Sequence, residues 1–369
     1  STHVRETVYA LQNLGHQVKV LCSNVEGDSA AATPIDVVKI DPFTSRKLGF
    51  DLRHLLLDRR ARGALGRLAT QWRPDALYER YSLYCRAGQA VAARRGLPRL
   101  LEVNAFITRE QHERIRLHWM ARRTERSIIR NAPHVIAVSQ PLVTEIAALG
   151  VPAGCISRMP MAVNVDKFHP SVDGGPVRAR FGLQDRFVLG YVGTLAGWHG
   201  IRLLSDLAHE LRRRQAPPFA ILVVGGEGEK LEQHRRKTRE SGLEDVLRFI
   251  GSVKHEEVPE HIRAFDAAII PNTTYWSSPA KLFEYQASGI PVIAPSYPSI
   301  HSSMDDGRDG FIFPPGNVSA MVDALMRLMA DPALRARMGE AACVRAQAEH
   351  SWRTNAEEII KLFEQMGRK

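Results

Sequence analysis

Four cysteines in 369 residues, at positions 22, 85, 155 and 343 and never as a C-x-x-C pair, suggest neither a zinc cage nor a disulfide scaffold. No apolar run approaches the ~18 residues that span a bilayer, and no fixed-period repeat or low-complexity tract is present. Nothing reads as a D-x-D-like metal site, since Asp305-Asp306 stands beside Gly307 and fits a turn. What is present is a globular composition, 44% hydrophobic and 24% charged, at a length that suits two domains. Lys and Arg number 50 against 40 Asp and Glu, a net +10 that favours anionic partners without choosing among them. The cations are dispersed without aromatic interleaving, which counts against nucleic acid.

Short apolar runs alternate with helical stretches from end to end, the pattern of parallel α/β layers. In the first half the strands are expected at 17–22, 36–40, 76–80, 99–103 and 134–139, with helices at 4–14, 53–70 and 109–130. The stretch 164–182, with Pro170, Gly174, Gly175 and Pro176, has the composition of a linker. A second series of strands follows at 187–192, 219–224, 247–250, 267–270, 291–294 and 311–313, then helices at 318–330, 332–348 and 355–365. We therefore expect domains at 1–170 and 171–351 and a final helix at 352–369. Tandem sheets of this kind bind ligands at the carboxyl ends of their strands.

The most informative stretch runs from Tyr275 to Ala294. Ser278 suits an N-cap and Pro279 the first helical position, Gly289 suits the helix end, and 291–294 reads as the next strand. A helix starting there presents free amides and a partial positive charge, an anion site. Lys281 adds a full charge in the first turn, and Glu284 shares its face. Such a pair suits the diphosphate and ribose of one nucleotide, and it equally suits an ordinary surface ion pair.

Residues 278–285 spell S-P-x-K-L-x-E-Y, and Gly289 opens G-x-P-V-I-A. This resembles the C-terminal signature of the retaining GT-B glycosyltransferases of family 4, in a branch that lacks the full E-x7-E motif. Glu284 stands at the second glutamate, which the resemblance assigns to the ribose, and Trp276 stands at the first, which meets the donor sugar. Thr194 and His199 occupy the places of the family's Arg and Lys, within Gly193-Thr194 and Trp198-His199-Gly200. The resemblance then passes neutralisation of the leaving diphosphate to Lys281 and His199. Gly225 matches the family's V-G-D-G-x-E, and Val253 ends the stretch whose backbone lies against the nucleobase. The implied donor site is Gly193, Thr194, Gly225, Val253, Ser278, Pro279, Ala280, Lys281, Leu282 and Glu284, with Lys281, Glu284 and His199 as catalytic candidates.

The opening residues 1–20 resemble the family's first helix and second strand (T-H-V-x-E, later G-H-x-V), and 101–111 resembles the loop after a central strand. These give His3, Asn104 and Glu110 as acceptor-side candidates, although Asn104 also fits a plain turn former. The family's preceding strand has no counterpart, so the natural protein is expected to begin roughly 15–25 residues earlier. Residues 114–130 mix many cations with Leu117, Trp119, Met120, Ile128 and Ile129. They suit packing against the first domain, or a peripheral contact with an anionic membrane.

The resemblance implies an α/β protein of GT-B fold, with two Rossmann-like domains facing each other across a cleft and a C-terminal helix crossing back to the first. It implies sugar transfer from a nucleoside diphosphate sugar with retention of configuration, in glycan or glycoconjugate synthesis, with no metal or other cofactor. The acceptor, whether a sugar, a lipid or a small molecule, is not specified. A cytoplasmic protein is expected, peripheral to the inner face of a membrane at most, with no nucleic-acid partner. Two other readings share the fold: a non-catalytic nucleotide-sugar-binding subunit, and a nucleotide-sugar epimerase, for which no acidic general bases can be assigned.

Overall fold

Apolar runs flanked by helices become parallel strands throughout, because each crossover helix covers one face of the sheet it returns to. The computed structural model describes residues 2–23, 35–43 and 49–367. Two units emerge, Ser1–Pro160 with Trp352–Lys369, and Met161–Ser351.

In the first unit β1 (Lys19–Cys22) pairs in parallel with β2 (Asp36–Lys39). A second sheet holds β3 (Leu77–Arg80), β4 (Arg99–Val103), β5 (His134–Ala137) and β6 (Ile156–Arg158), parallel and in that order. All five residues of β4 are buried. Leu100 and Ile136 pack against Ile359 and Leu362 of the helix Trp352–Gly367, so the end of the chain completes the core of the unit that its beginning starts.

Two expectations are corrected here. Residues 109–130 are not one helix: Ile107–Glu110 stops, and His118–Arg130 begins afresh. The buried Asp51 carboxylate accepts the amides of Arg116 and Leu117, which holds the intervening chain off helical geometry. Residues 164–182 are not a free linker, and the division falls at Pro160 rather than 170. Val163 donates its amide to the His350 carbonyl at 2.8 Å, while Phe168, Val177 and Leu183 are buried in the second core.

The second unit is one parallel sheet of β7 (Phe187–Val192), β8 (Phe219–Val224), β9 (Leu247–Gly251), β10 (Ala267–Ile269), β11 (Val292–Pro295) and β12 (Gly310–Phe313). Both faces are covered: along β8, Ile221 and Val223 enter one apolar cluster while Ala220, Leu222 and Val224 enter the other. The strand order is β12-β11-β10-β7-β8-β9. The chain therefore runs outward from β7 to β9 and then returns to the far side of β7. The order reverses between β7 and β10, and it is beyond the carboxyl ends of strands at such a reversal that sheets of this kind bind ligands.

Candidate functional site

The loops after β7, β8 and β9 are drawn together by glycines. Gly193 follows β7 at φ +144°, and a Cβ there would lie 2.7 Å from Lys281 Nζ. Gly225 follows β8 at φ +121°, where a Cβ would sit 2.2 Å from the Gly193 carbonyl oxygen. Both conformations favour glycine, and both leave room for a neighbour that a side chain would displace. Gly225 donates its amide to the Gly251 carbonyl at 2.7 Å, and Ser252 Oγ donates to the Gly226 carbonyl at 3.1 Å. These bonds bring the chain leading to Val253 beside the β8 turn. Thr194 offers its backbone, its carbonyl accepting the Tyr191 hydroxyl at 2.9 Å.

The helix Ala280–Ala287 follows β10 after a loop, as its sequence requires, but it starts differently from the expectation. Ser278 does not cap it: Pro279 is the cap residue, with no side-chain bond, and Ser278 Oγ accepts the Met161 amide at 3.0 Å. The Leu282 amide turns inward to the Pro279 carbonyl at 2.9 Å, and its side chain is fully buried. The donors left for a ligand at this end are the amides of Ala280 and Lys281, with the positive end of the helix behind them.

Lys281 reaches back from that first turn to β7. Its Nζ donates to the Tyr191 hydroxyl at 2.9 Å and stands 4.2 Å from the centre of the Tyr191 ring. Burial pulls the ammonium down to about 7, against the opposing charge of Glu284. Burial likewise pushes Glu284 up to about 7, against Lys281. The two charges are thus poorly solvated and only partly offset one another, the state of groups that gain from an anionic, hydroxyl-bearing ligand.

His199 departs from its expected role as a cation. Burial, and then the charge of Lys281, pull its imidazole down to about 4, so it is neutral at pH 7. Its ring lies 6.1 Å from that of Tyr191, close enough for a neutral hydrogen-bonding role beside the ammonium. Asn272, which the sequence did not single out, fixes this corner. Its amide donates to the His199 carbonyl at 3.1 Å, its side chain donates to the Trp198 carbonyl at 3.0 Å, and Tyr297 donates to it at 3.1 Å. Nothing in an asparagine after a short strand separates this stitch from an ordinary turn.

In the first unit the structure brings His3 and Asn104 together and leaves Glu110 out. His3 Nε2 meets Glu102 Oε2 at 2.8 Å, and Asn104 Nδ2 donates to Glu102 Oε1 at 2.5 Å. Tyr78 donates to the same carboxylate, and Arg80 approaches it at 3.4 Å. Burial alone would raise Glu102, but the bond and charge of His3, then Arg80 and Tyr78, carry it down to about 2. Beside it lies a water-sized cavity of about 10 Å³ lined by His3, Tyr78, Glu102 and Asn355. Glu110 is exposed at the end of its short helix. Glu102, the hub of the cluster, was not among the sequence candidates, because convergence of a helix, a neighbouring strand and a loop on one strand end leaves no local signal.

Comparison with known proteins adds the following. Residues 1–167 match the family model described as Glycosyltransferase Family 4, and residues 177–345 match that of Glycosyl transferases group 1. The chain is 31% identical over 251 residues to a D-inositol 3-phosphate glycosyltransferase of Corynebacterium jeikeium. That alignment takes in 66% of this chain and 59% of the relative, less than two thirds of its length. Among solved structures, sucrose-phosphate synthase of Thermosynechococcus elongatus superposes with a TM-score of 0.78 at 22% identity, over 100% of this chain and 93% of the other. Anabaena HepE in complex with UDP gives 0.73 at 18% identity, over 90% and 86% of the two chains.

Proposed function

The chain belongs to glycosyltransferase family 4, with the two Rossmann-like units of the GT-B fold, and on that premise we propose that it transfers a sugar from a nucleoside diphosphate sugar to an acceptor, with retention of anomeric configuration and without a metal. The observation that carries this reading is the seat of Lys281 at the β7–β10 crevice. A cation without a carboxylate hydrogen bond stands beside two free helix amides, with Glu284 one turn on.

Glu284 accepts the ribose hydroxyls. Lys281 and the amides of Ala280 and Lys281 stabilise the charge that builds on the departing diphosphate as the donor becomes oxocarbenium-like. His199, neutral in the free protein, donates a hydrogen bond to the same phosphate. The leaving phosphate takes the acceptor's proton on the face it departs from, which suits a site without paired catalytic carboxylates. Replacing Glu284 with glutamine removes a charge-assisted bond of roughly 1.5–3 kcal/mol. Calorimetric titration with UDP, GDP, ADP and TDP should then show about 10- to 150-fold weaker binding of the cognate nucleotide. Unchanged affinity in the folded variant would refute the ribose assignment.

Peripheral contact with an anionic membrane forms part of the proposal. The helix His118–Arg130 buries Ala121, Ile128 and Ile129. Its outer face presents Trp119, 72% exposed, followed by Arg122, Arg123 and Arg126, which make no ion pair among the described residues. Leu52 and Leu55 are exposed on the adjoining helix Phe50–Trp72, and Leu117 on the intervening turn. Apolar tips among unpaired arginines suit acidic headgroups over hydrocarbon. No helix among the described residues is long and apolar enough to cross a membrane.

A further inference from the structure

Lysines that bind phosphate are commonly held by a carboxylate, which the phosphate must then displace. Lys281 is held otherwise. Among the described residues it makes no ion pair, and its side-chain hydrogen bond goes to the Tyr191 hydroxyl at 2.9 Å. The Tyr191 ring lies beneath it at 4.2 Å. Tyr191 is itself fully buried among the apolar residues of β7 and its neighbours, so the ring is a fixed platform. The hydroxyl proton is committed to the Thr194 carbonyl at 2.9 Å, which leaves an oxygen lone pair facing Nζ. The chain of donors therefore runs one way, from Lys281 to Tyr191 to the loop after β7. Gly193 clears the space, since a Cβ there would stand 2.7 Å from Nζ and 3.0 Å from the hydroxyl.

Resting on the donor-site reading above, we propose that Tyr191 is a positioning residue: it holds the Lys281 ammonium at the β7–β10 crevice by a neutral oxygen and a ring face, so that the charge is fixed in place yet unpaired until a diphosphate arrives. A ring and a hydroxyl attract an ammonium without cancelling its charge, so the diphosphate displaces no anion when it binds and itself favours the protonated lysine. Thr194 stands where the resemblance expects a second cation, which leaves the placement of this one correspondingly important.

Inorganic pyrophosphate, the cognate nucleoside diphosphate and the matching nucleoside serve as probes in calorimetric titrations of the intact chain. Tyr191→Phe keeps the ring and removes the hydroxyl. Pyrophosphate and nucleoside diphosphate should bind about 10- to 150-fold more weakly, as one hydrogen bond to a charged group would give, while nucleoside affinity stays within about twofold. In a Lys281→Met background the same substitution should have no further effect on pyrophosphate, because the group it positions is gone. An equal loss in both backgrounds, or an equal loss for nucleoside and diphosphate, would make Tyr191 a structural residue and overturn the proposal. Tyr191→Met, which also lacks the ring, should lose more than Tyr191→Phe, and it supplies a second reading if either variant is unstable. Failure of the unaltered chain to bind pyrophosphate or any nucleoside diphosphate would instead remove the donor site itself, a result distinct from the loss of coupling.

Discussion

Replacing Glu102 with glutamine removes the charge at the centre of the first unit's polar cluster and leaves its donors in place. His3, Asn104, Tyr78 and Arg80 all converge on that carboxylate, and its side chain is only 2% exposed. The amide offers one oxygen where the carboxylate offered two, and its nitrogen turns a donor toward other donors. Displacement of the carboxyl from its ordinary 4.5 to about 2 corresponds to roughly 3 kcal/mol of stability. Because the folded value lies below the unfolded one, that contribution is fully present above about pH 4.5 and is lost as pH falls toward 2. At pH 7 the variant should therefore melt roughly 6–12 °C below the parent for a unit of this size. By pH 3 the gap should have narrowed to about half its size at pH 7. The assay is circular dichroism melting of both proteins across pH 3–7, following the first transition if the units melt separately. A variant that melts with the parent at pH 7, or a gap unchanged at pH 3, would mean that the cluster does not stabilise the ionised carboxylate.

Two further outcomes follow from the charges already described. Catalytic efficiency should trace a bell centred near pH 7: it falls toward acid as Glu284 protonates and toward alkali as Lys281 loses its proton, both being displaced to about 7. His199, pulled down to about 4, should add no limb between pH 5.5 and 9, and an efficiency that declines steadily through pH 6.5 would return it to a cationic role. Sedimentation with phosphatidylglycerol vesicles should exceed that with phosphatidylcholine and fade with salt, and Arg122→Glu with Arg123→Glu should abolish the difference. Equal, negligible binding to both vesicles would leave the Trp119 face without a membrane role.

Much of this was legible in the sequence because parallel strands buried on both faces must be continuous apolar runs. Residues 99–103, 187–192 and 219–224 become β4, β7 and β8 with the expected bounds. The strand Ile156–Arg158 was missed because a single apolar residue followed by Ser157 and Arg158 carries no such run; it forms because β5 offers it an edge. The helix 280–287 was legible from its Pro279 start and Gly289 end, and Lys281 and Glu284 from their place on it. The fate of Ser278 was not, since the Met161 amide that it accepts comes from 117 residues away. For the same reason the partners of Lys281 and Glu102 stayed hidden. Tyr191 read as an ordinary strand residue, and Glu102 as one letter in a buried run, until the sheet order placed them beside chains distant in sequence.

The stereochemical course of turnover tests the central claim most directly. The chain is incubated with α-linked nucleotide sugars, without acceptor and then with simple alcohols as acceptors, and the first-formed product is followed by proton NMR before the free sugar mutarotates. Release of the cognate nucleoside diphosphate, with the α-anomer appearing first, is the expected result. First appearance of the β-anomer would contradict retention, and binding of a nucleotide sugar without turnover across all acceptors would contradict catalysis itself and leave a nucleotide-sugar-binding protein.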